Sequence, residues 1–358
     1  MQRQGSSWQR AAAPADGVRG VRQSHASFAR FRPARRRAER AKGFNPAVDA
    51  NRFPEDHYPA MTLWGIDLGG TKIEGAIVEA ESATALFRCR VPTESAQGYE
   101  HILGQIRLVV EKMESASDAR RPAVIGVGTP GAIEPGTGRL KNSNSVCLNG
   151  RPVRSDMAKI LGVEARLAND ANCFALAEAM FGSARGKPVV FGVILGTGVG
   201  GGIVVNGRAL DGLHGIAGEW GHNPIPGEVA ACYCGRRGCV ETVISGPALE
   251  RHYRESTGKT LCLPEIVERA ATGEAAAAAT LGRLRDKFGE AIAAVINILD
   301  PDAVVIGGGV GNIGLLYAPE TREAVRRHLF NPELRTEFLK PVLGDSAGVF
   351  GAALLAKG

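Results

Sequence analysis

A chain of 358 residues, 44% hydrophobic and 22% charged, can bury a large core and predicts about two domains. Its formal charge of +6 belongs to one end: residues 1–60 carry 12 Lys and Arg against 5 Asp and Glu, leaving a net −1 from Met61 onward, which excludes a nucleic-acid-binding body. No run of about 18 apolar residues occurs, so no apolar helix crosses a bilayer, and seven cysteines, an odd number with three in one cluster, point to a reducing cytoplasm rather than a secreted disulfide framework.

Residues 1–60 are rich in Arg, Ala, Pro and Ser, include the run Arg35-Arg36-Arg37 and show no sustained apolar periodicity, so disorder is expected there. An Arg-rich transit peptide, a basic nucleic-acid-binding arm and a start codon set too early all fit that composition. The last is preferred because Met61 stands directly before the first strand-like run, Leu63–Asp67. A DNA-reading helix-turn-helix would need two periodic helices around a turn, and neither is visible.

From Met61 the pattern becomes regular. Leu63–Asp67, Ile73–Val78 and Ala85–Val91 read as short strands, and Tyr99–Met113 as a helix with apolar residues at Ile102, Leu103, Ile106, Val109 and Val110, the spacing of one helical face. Ala123–Gly128 is a further strand, followed by a Gly-, Asn- and Pro-rich passage to Pro152. Asp156–Leu161 reads as helix, Glu164–Leu167 as extended, Ala171–Phe181 as helix, and Val189–Leu195 and Gly201–Val205 as strands around a glycine loop. Beyond residue 246 helix dominates: Pro247–Ser256, Pro264–Ala271, Ala275–Leu299, Glu320–Leu329 and Gly348–Lys357, with one buried strand at Ala303–Ile306. Two blocks of alternating elements, each opened by a strand and a glycine turn, predict two α/β lobes with a cleft between them.

The glycine turns carry the first chemical signal. Asp67-Leu68-Gly69-Gly70-Thr71-Lys72 joins two strands; its glycines let backbone amides approach an anion, although an ordinary β-turn fits equally well. Gly196-Thr197-Gly198-Val199-Gly200 repeats the arrangement between two later strands, and two such hairpins in corresponding places argue for a shared ligand. Neither has a Walker ending or leads into a dinucleotide-binding helix. Gly307-Gly308-Gly309 follows a strand and would let a flat purine lie on the backbone, or would simply fit a crowded turn. Asn169-Asp170 stands where a strand meets a helix; it reads as an N-cap or as a general base facing the cleft, and spacing does not choose.

The stretch Glu219–Glu241 holds His222, Cys232, Cys234 and Cys239 with almost nothing apolar around them. One imidazole and three thiolates close a tetrahedral zinc site with no open position, so that metal would be structural. Glu219 and Glu241, held by such a loop, are suited to accept hydrogen bonds from vicinal hydroxyls, and His222 to orient a further oxygen.

Together these motifs, with Gly128-Thr129-Pro130-Gly131 and Lys141–Pro152, resemble the ROK family of sugar kinases and repressors over nearly all of Met61–Gly358, and within it the bacterial fructokinase (manno(fructo)kinase) branch. The resemblance implies an α/β, two-lobed actin/hexokinase-like (ribonuclease H-like) fold: a small lobe over 61–168 completed by a C-terminal helix over 346–358, and a large lobe over 169–345. It implies ATP and Mg²⁺ in the cleft, phosphates on Gly69, Gly70, Thr71, Lys72, Gly196, Thr197, Gly198, Val199 and Gly200, Asp67 positioning the metal-nucleotide, and adenosine near Gly307, Gly308 and Gly309. Asp170 would be the base, the sugar would lie on Gly131, Asn144, Asn169, Glu219, His222 and Glu241, and zinc on His222, Cys232, Cys234 and Cys239. Phosphoryl transfer needs mainly alignment and charge stabilisation, which such a site supplies.

The expected reaction is fructose to fructose 6-phosphate, with a glucose, mannose or N-acetylhexosamine kinase as the near alternative and a sugar-responsive repressor as one of another class. The intact loops and Asp170 count against the repressor. Neither nucleic acid nor membrane is an expected partner, while homodimers are frequent in the family. One departure is Cys147, where many relatives carry Trp, which leaves the shape of that pocket wall open.

Overall fold

The computed structural model describes residues 61–116 and 120–357. The expectations for residues 1–60 lie outside them. A three-stranded meander opens the chain: β1 (Thr62–Leu68), β2 (Lys72–Glu79) and β3 (Ala85–Pro92). Helix α1 (Tyr99–Ala116) then leads to β4 (Val124–Thr129), parallel to β1. A small ribbon, β5 (Ala132–Ile133) with β6 (Leu140–Lys141), and helix α2 (Val153–Leu161) precede β7 (Glu164–Asn169), which completes a sheet of order β3-β2-β1-β4-β7.

Helix α3 (Asp170–Met180) follows, and the same plan is then repeated. Strands β8 (Val189–Leu195), β9 (Val199–Val205) and β10 (Arg208–Ala209) form the second meander. The helices α4 (Glu241–Ile244), α5 (Gly246–Thr257), α6 (Leu263–Ala271) and α7 (Ala275–Leu299) lead to β11 (Ala303–Gly307), parallel to β8. After α8 (Gly308–Gly311) and α9 (Pro319–Arg326), β12 (Glu337–Leu339) closes the order β10-β9-β8-β11-β12, and α10 (Ala347–Leu355) ends the fold. The paired glycine loops of the sequence are thus the same turn in two copies of one topology.

Side-chain alternation along the strands divides the core. Trp64, Ile66 and Leu68 face α1 and α2, while Leu63 faces the other way. Phe191, Val193 and Leu195 likewise face Leu284, Phe288 and Ile292 of α7, while Val190 points inward. Between the sheets lie α3 and α10, packed on each other. Residues Ala171 to Ala179 of α3 are all buried, as expected of a helix apolar on every side. Helix α10 rests on β1 and β4, and α3 on β8 and β9. The contact with β4 is possible because Gly126 has no side chain: an ideal Cβ there would stand 1.8 Å from the Ala352 carbonyl oxygen.

Several element boundaries differ from expectation by two or three residues; α1 ends at Ala116 and α2 begins at Val153. The strand expected to begin at Gly201 begins at Val199, because Val199 pairs with Leu195 and continues the hairpin ladder. The helix expected over Glu320–Leu329 stops at Arg326.

Candidate active site

The C-terminal ends of the parallel strands β1, β4 and β7 bring Asp67, Gly128–Thr129 and Asn169 into register, the usual position for a ligand crevice in an α/β sheet. Asn169 caps α3: its Oδ1 accepts the Asn172 amide at 2.7 Å. Asp170, the first residue of that helix, accepts the Ala171 amide at 2.8 Å. Asp170 is therefore not the N-cap, and its second oxygen remains available to the cleft. Its carboxylate is reached by solvent from the cleft but crowded by protein elsewhere; burial pushes its pKa up, with the Ala171 amide pulling the other way.

Asp67 is half-buried beneath the start of α10, where an ideal Cβ on Gly348 would lie 2.8 Å from Oδ2. Its pKa is pushed up to about 6, first by burial, then by the charges of Asp170 and Glu74, against the pull of Lys72 and Arg90. Glu74, opposite Asp67 on β2 and 1% exposed, accepts from Arg88 Nε at 2.9 Å and Arg90 Nε at 2.7 Å, with Lys72 at 3.7 Å. This charge cluster carried no motif in the sequence.

The first hairpin is closed by the Gly69 amide on the Lys72 carbonyl at 2.9 Å, with Gly70 and Thr71 exposed at its tip. In the second hairpin the Gly196 amide donates to the Gly198 carbonyl at 2.9 Å, and Thr197 is exposed. Val199, expected among the phosphate-holding positions, lines the cavity through its backbone side. Its side chain is buried in the large-lobe core and its amide donates to Glu241 Oε2 at 3.0 Å. Gly200 packs against Ala171 and its carbonyl accepts from Trp220 Nε1 at 3.0 Å.

The glycines after β11 also have packing roles. An ideal Cβ on Gly307 would meet the Phe174 ring at 2.7 Å, and Gly308 has φ 84° with the Leu195 carbonyl 2.2 Å from an ideal Cβ. Only Gly309 has open space there.

In the cysteine loop the donor atoms of His222, Cys232, Cys234 and Cys239 all lie within 4.8 Å of one another. His222 Nδ1 is 3.5 Å from Cys232 Sγ, and Cys234 Sγ is 3.6 Å from Cys239 Sγ. Zinc bonds of about 2.3 Å to sulfur and about 2.0 Å to nitrogen, set at the tetrahedral angle, separate two sulfurs by about 3.8 Å and sulfur from nitrogen by about 3.5 Å. Two of the donor pairs already stand at about that spacing, and the four residues suit a zinc ion in type and placement. The loop is tied to the large-lobe core by Trp220, whose ring meets Phe191 and Phe288 edge-on at 5.9 and 6.4 Å.

These parts line a cavity of about 1130 Å³. It brings together Gly131, Asn144, Asn169, Asp170, the residues from Gly196 to Gly200, Glu219, His222, Glu241 and Cys234. Asp67, Gly69, Gly70, Thr71, Lys72 and Gly307 to Gly309 are not among its lining residues. Burial raises the pKa of Glu219, as do Asp170 and Glu241, while His222 lowers it. Gly131, at φ 129°, lets the Lys141–Ser143 segment pass against it, since an ideal Cβ would stand 2.6 Å from the Lys141 carbonyl. Asn149 holds that segment by accepting the Ser143 amide at 2.8 Å and donating to its carbonyl at 2.9 Å. Cys147 turns toward the small-lobe core and Val146 faces the cavity in its place.

Tyr233 was not anticipated. It is 81% exposed, lines the cavity, and its hydroxyl lies 3.1 Å from His222 Nε2. An isolated tyrosine between two cysteines has no periodicity to mark it.

A duplicated sheet topology with paired hairpins, a carboxylate at a helix start and a wide cavity defines a two-lobed actin/hexokinase-like fold. The model of the ROK family matches residues 63–358, and the chain belongs to that family. It is 35% identical over 302 residues to an N-acetyl-D-glucosamine kinase of Yersinia pseudotuberculosis, covering 82% of this chain and 98% of the relative. The ROK hexokinase of Thermus thermophilus superposes with a TM-score of 0.74 at 33% identity, over 83% of this chain and 98% of that one. A ROK family glucokinase from Streptomyces griseus, solved with glucose and AMPPNP, superposes with a TM-score of 0.68 at 28% identity, over 83% and 99%.

Proposed function

We propose that the chain is an ATP-dependent N-acetylhexosamine kinase that phosphorylates N-acetylglucosamine. The observation that carries the choice of sugar is the end-to-end match to an N-acetyl-D-glucosamine kinase. Fructose, the sugar expected from the motifs, has no comparable support among the relatives described above.

In the proposed reaction Asp170 takes the proton of the acceptor hydroxyl as that oxygen attacks the terminal phosphorus of ATP. A pKa raised by burial makes the carboxylate a stronger base than an ordinary aspartate. Asn169 retains its amide nitrogen for the sugar, because only its oxygen is used in capping. Glu219 and Glu241 accept sugar hydroxyls, Glu241 with the oxygen not occupied by Val199. The tips of the two hairpins, where Gly70, Thr71 and Thr197 are exposed and Gly198 is half-buried, hold the phosphates. Mg²⁺ arriving with the nucleotide neutralises phosphate charge. His222, Cys232, Cys234 and Cys239 would hold a structural zinc, and with Nδ1 as the ligand atom the Nε2 hydrogen would face the Tyr233 hydroxyl, 3.1 Å away.

The test is an ADP-release assay across N-acetylglucosamine, N-acetylgalactosamine, N-acetylmannosamine, glucose, mannose and fructose. N-acetylglucosamine is expected to give the highest kcat/KM; a higher value for fructose or glucose would overturn the proposal. In the same assay Asp170→Asn is expected to lower kcat by about 10²–10⁴-fold with sugar binding retained, and normal turnover in that variant removes Asp170 as the base.

A further inference from the structure

Glu178, near the C-terminal end of α3, is 0% exposed. Among the described residues no Lys, Arg or His pairs with it; its partners are backbone amides and a hydroxyl. Oε2 accepts from the Ser183 amide at 2.9 Å and the Ser183 hydroxyl at 3.2 Å. Oε1 accepts from the amides of Val342 at 3.1 Å and Leu343 at 3.0 Å, and the Val342 amide also reaches Oε2 at 3.3 Å. The turn after α3 is shaped to this carboxylate, since an ideal Cβ on Gly182 would lie 2.0 Å from Oε2. A buried carboxylate without a cation is expensive and persists only where donors converge on it.

Its position gives that expense a purpose. The chain passes between the lobes at two places: where β7 runs into α3, and in the segment between β12 and α10. Helix α3 begins at the first, with Asp170, and through Glu178 holds the second. Just beyond the held segment, α10 sets Gly348 against Asp67 and Gly351 against the Cys173 carbonyl of α3. The carboxylates of the two lobes are thus referred to one helix pair, and Glu178 fixes one end of it. Eight residues of helix separate it from Asp170, about 12 Å along the axis, so it acts through the backbone and touches no substrate.

We propose that Glu178 is a positioning residue for phosphoryl transfer: it anchors the second lobe crossing to the helix that presents Asp170, so that closure of the cleft brings the two lobes together at one fixed spacing. The proposal rests on the kinase reading but not on the choice of sugar, and its test begins from wild-type protein already shown to turn over.

Glu178→Gln keeps the shape and replaces one acceptor oxygen by an amide that confronts an N–H. At a temperature well below its melting point, sugar affinity by calorimetry is expected within about threefold of wild type while kcat falls at least about tenfold, since misplacement near 1 Å can cost about 100-fold. The fall in radius of gyration on adding sugar and AMPPNP, read by small-angle scattering, is expected to shrink or vanish. Unchanged kcat and unchanged compaction with only a lower Tm would make Glu178 a purely structural residue and overturn the proposal. If Glu178→Gln does not fold, Glu178→Asp takes its place: it keeps the charge but cannot span both segments, and the same two readouts decide in the same way. Failure of wild type to turn over any sugar would instead count against the kinase reading.

Discussion

Asp67 and Asp170 show how one residue type is set to different tasks by its surroundings. Asp170 has a helix-start amide to share its charge, whereas Asp67 sits under α10 with Asp170 and Glu74 nearby. The consequence for stability has a definite sign. The folded pKa of Asp67, about 6, exceeds the ordinary 3.8, so between those values the native state binds more protons than the unfolded chain and stability falls as pH rises. The penalty is complete above about pH 6 and absent below about pH 4. Asp67→Asn removes it. In the absence of Mg²⁺ and nucleotide, the variant is expected to be more stable than wild type at pH 8 by on the order of 1–3 kcal/mol, with the gap closing as pH falls to 4. Thermal melts at both pH values check this, and a gap that stays constant with pH refutes the assignment. Glu74 has three cationic neighbours and is the opposite case, a buried carboxylate compensated on the spot.

Among the elements, the loop from Glu219 to Glu241 combines a cluster of one His and three Cys that could hold a metal ion with the wall of the cavity. It has no apolar periodicity; two isolated β-bridges, Pro224 with Cys239 and Ala231 with Arg237, hold its backbone, Trp220 ties it to the core, and a metal on its four donors would add a further tie. Purified protein is expected to carry about one zinc per chain, because one imidazole and three thiols stand within 4.8 Å of one another. Chelation is expected to raise hydrogen exchange across residues 219–241 and to weaken sugar binding by about tenfold or more, because Glu219, His222 and Glu241 depend on the same segment. Active protein free of zinc would refute this. The hairpin elements carry a second lesson. Their glycine spacing was plain in the sequence, but the partner of the Val199 amide is Glu241, 42 residues away, and the ladder continues two pairs beyond Gly201, to Leu195 opposite Val199.

At the scale of the molecule, α3 and α10 pack on each other between the two five-stranded sheets among the described residues, so the fit of those helices bears on both stability and the spacing of the lobes. Gly126→Ala puts a Cβ into the backbone of α10, with the Ala352 carbonyl 1.8 Å away, and is expected to cost about 3 kcal/mol or more, at the upper end of overpacking. Gly136→Ala, where no atom lies within 4 Å of an ideal Cβ, is the control and should melt within about 1 °C of wild type, as surface substitutions usually do. Denaturant titration of the pair checks the contrast.

Much of this architecture was legible before any coordinates, because it is written in local periodicity. Strands of period two, amphipathic helices such as Tyr99–Ala116, the two glycine turns and the cysteine spacing each depend on neighbours a few residues away. The sequence by itself therefore determined the element types, the duplicated strand–turn–strand opening and the grouping of one His with three Cys, while Asp170 became the candidate base only through the family resemblance. Tertiary structure alone decided which of those groups share a cavity, why Gly307 and Gly308 serve packing, that Tyr233 meets His222, and that Glu178 reaches across 164 residues to Val342. The physical reason is that a buried charge or a glycine contact is defined by what the chain brings against it, and that partner leaves no periodic trace near the residue itself.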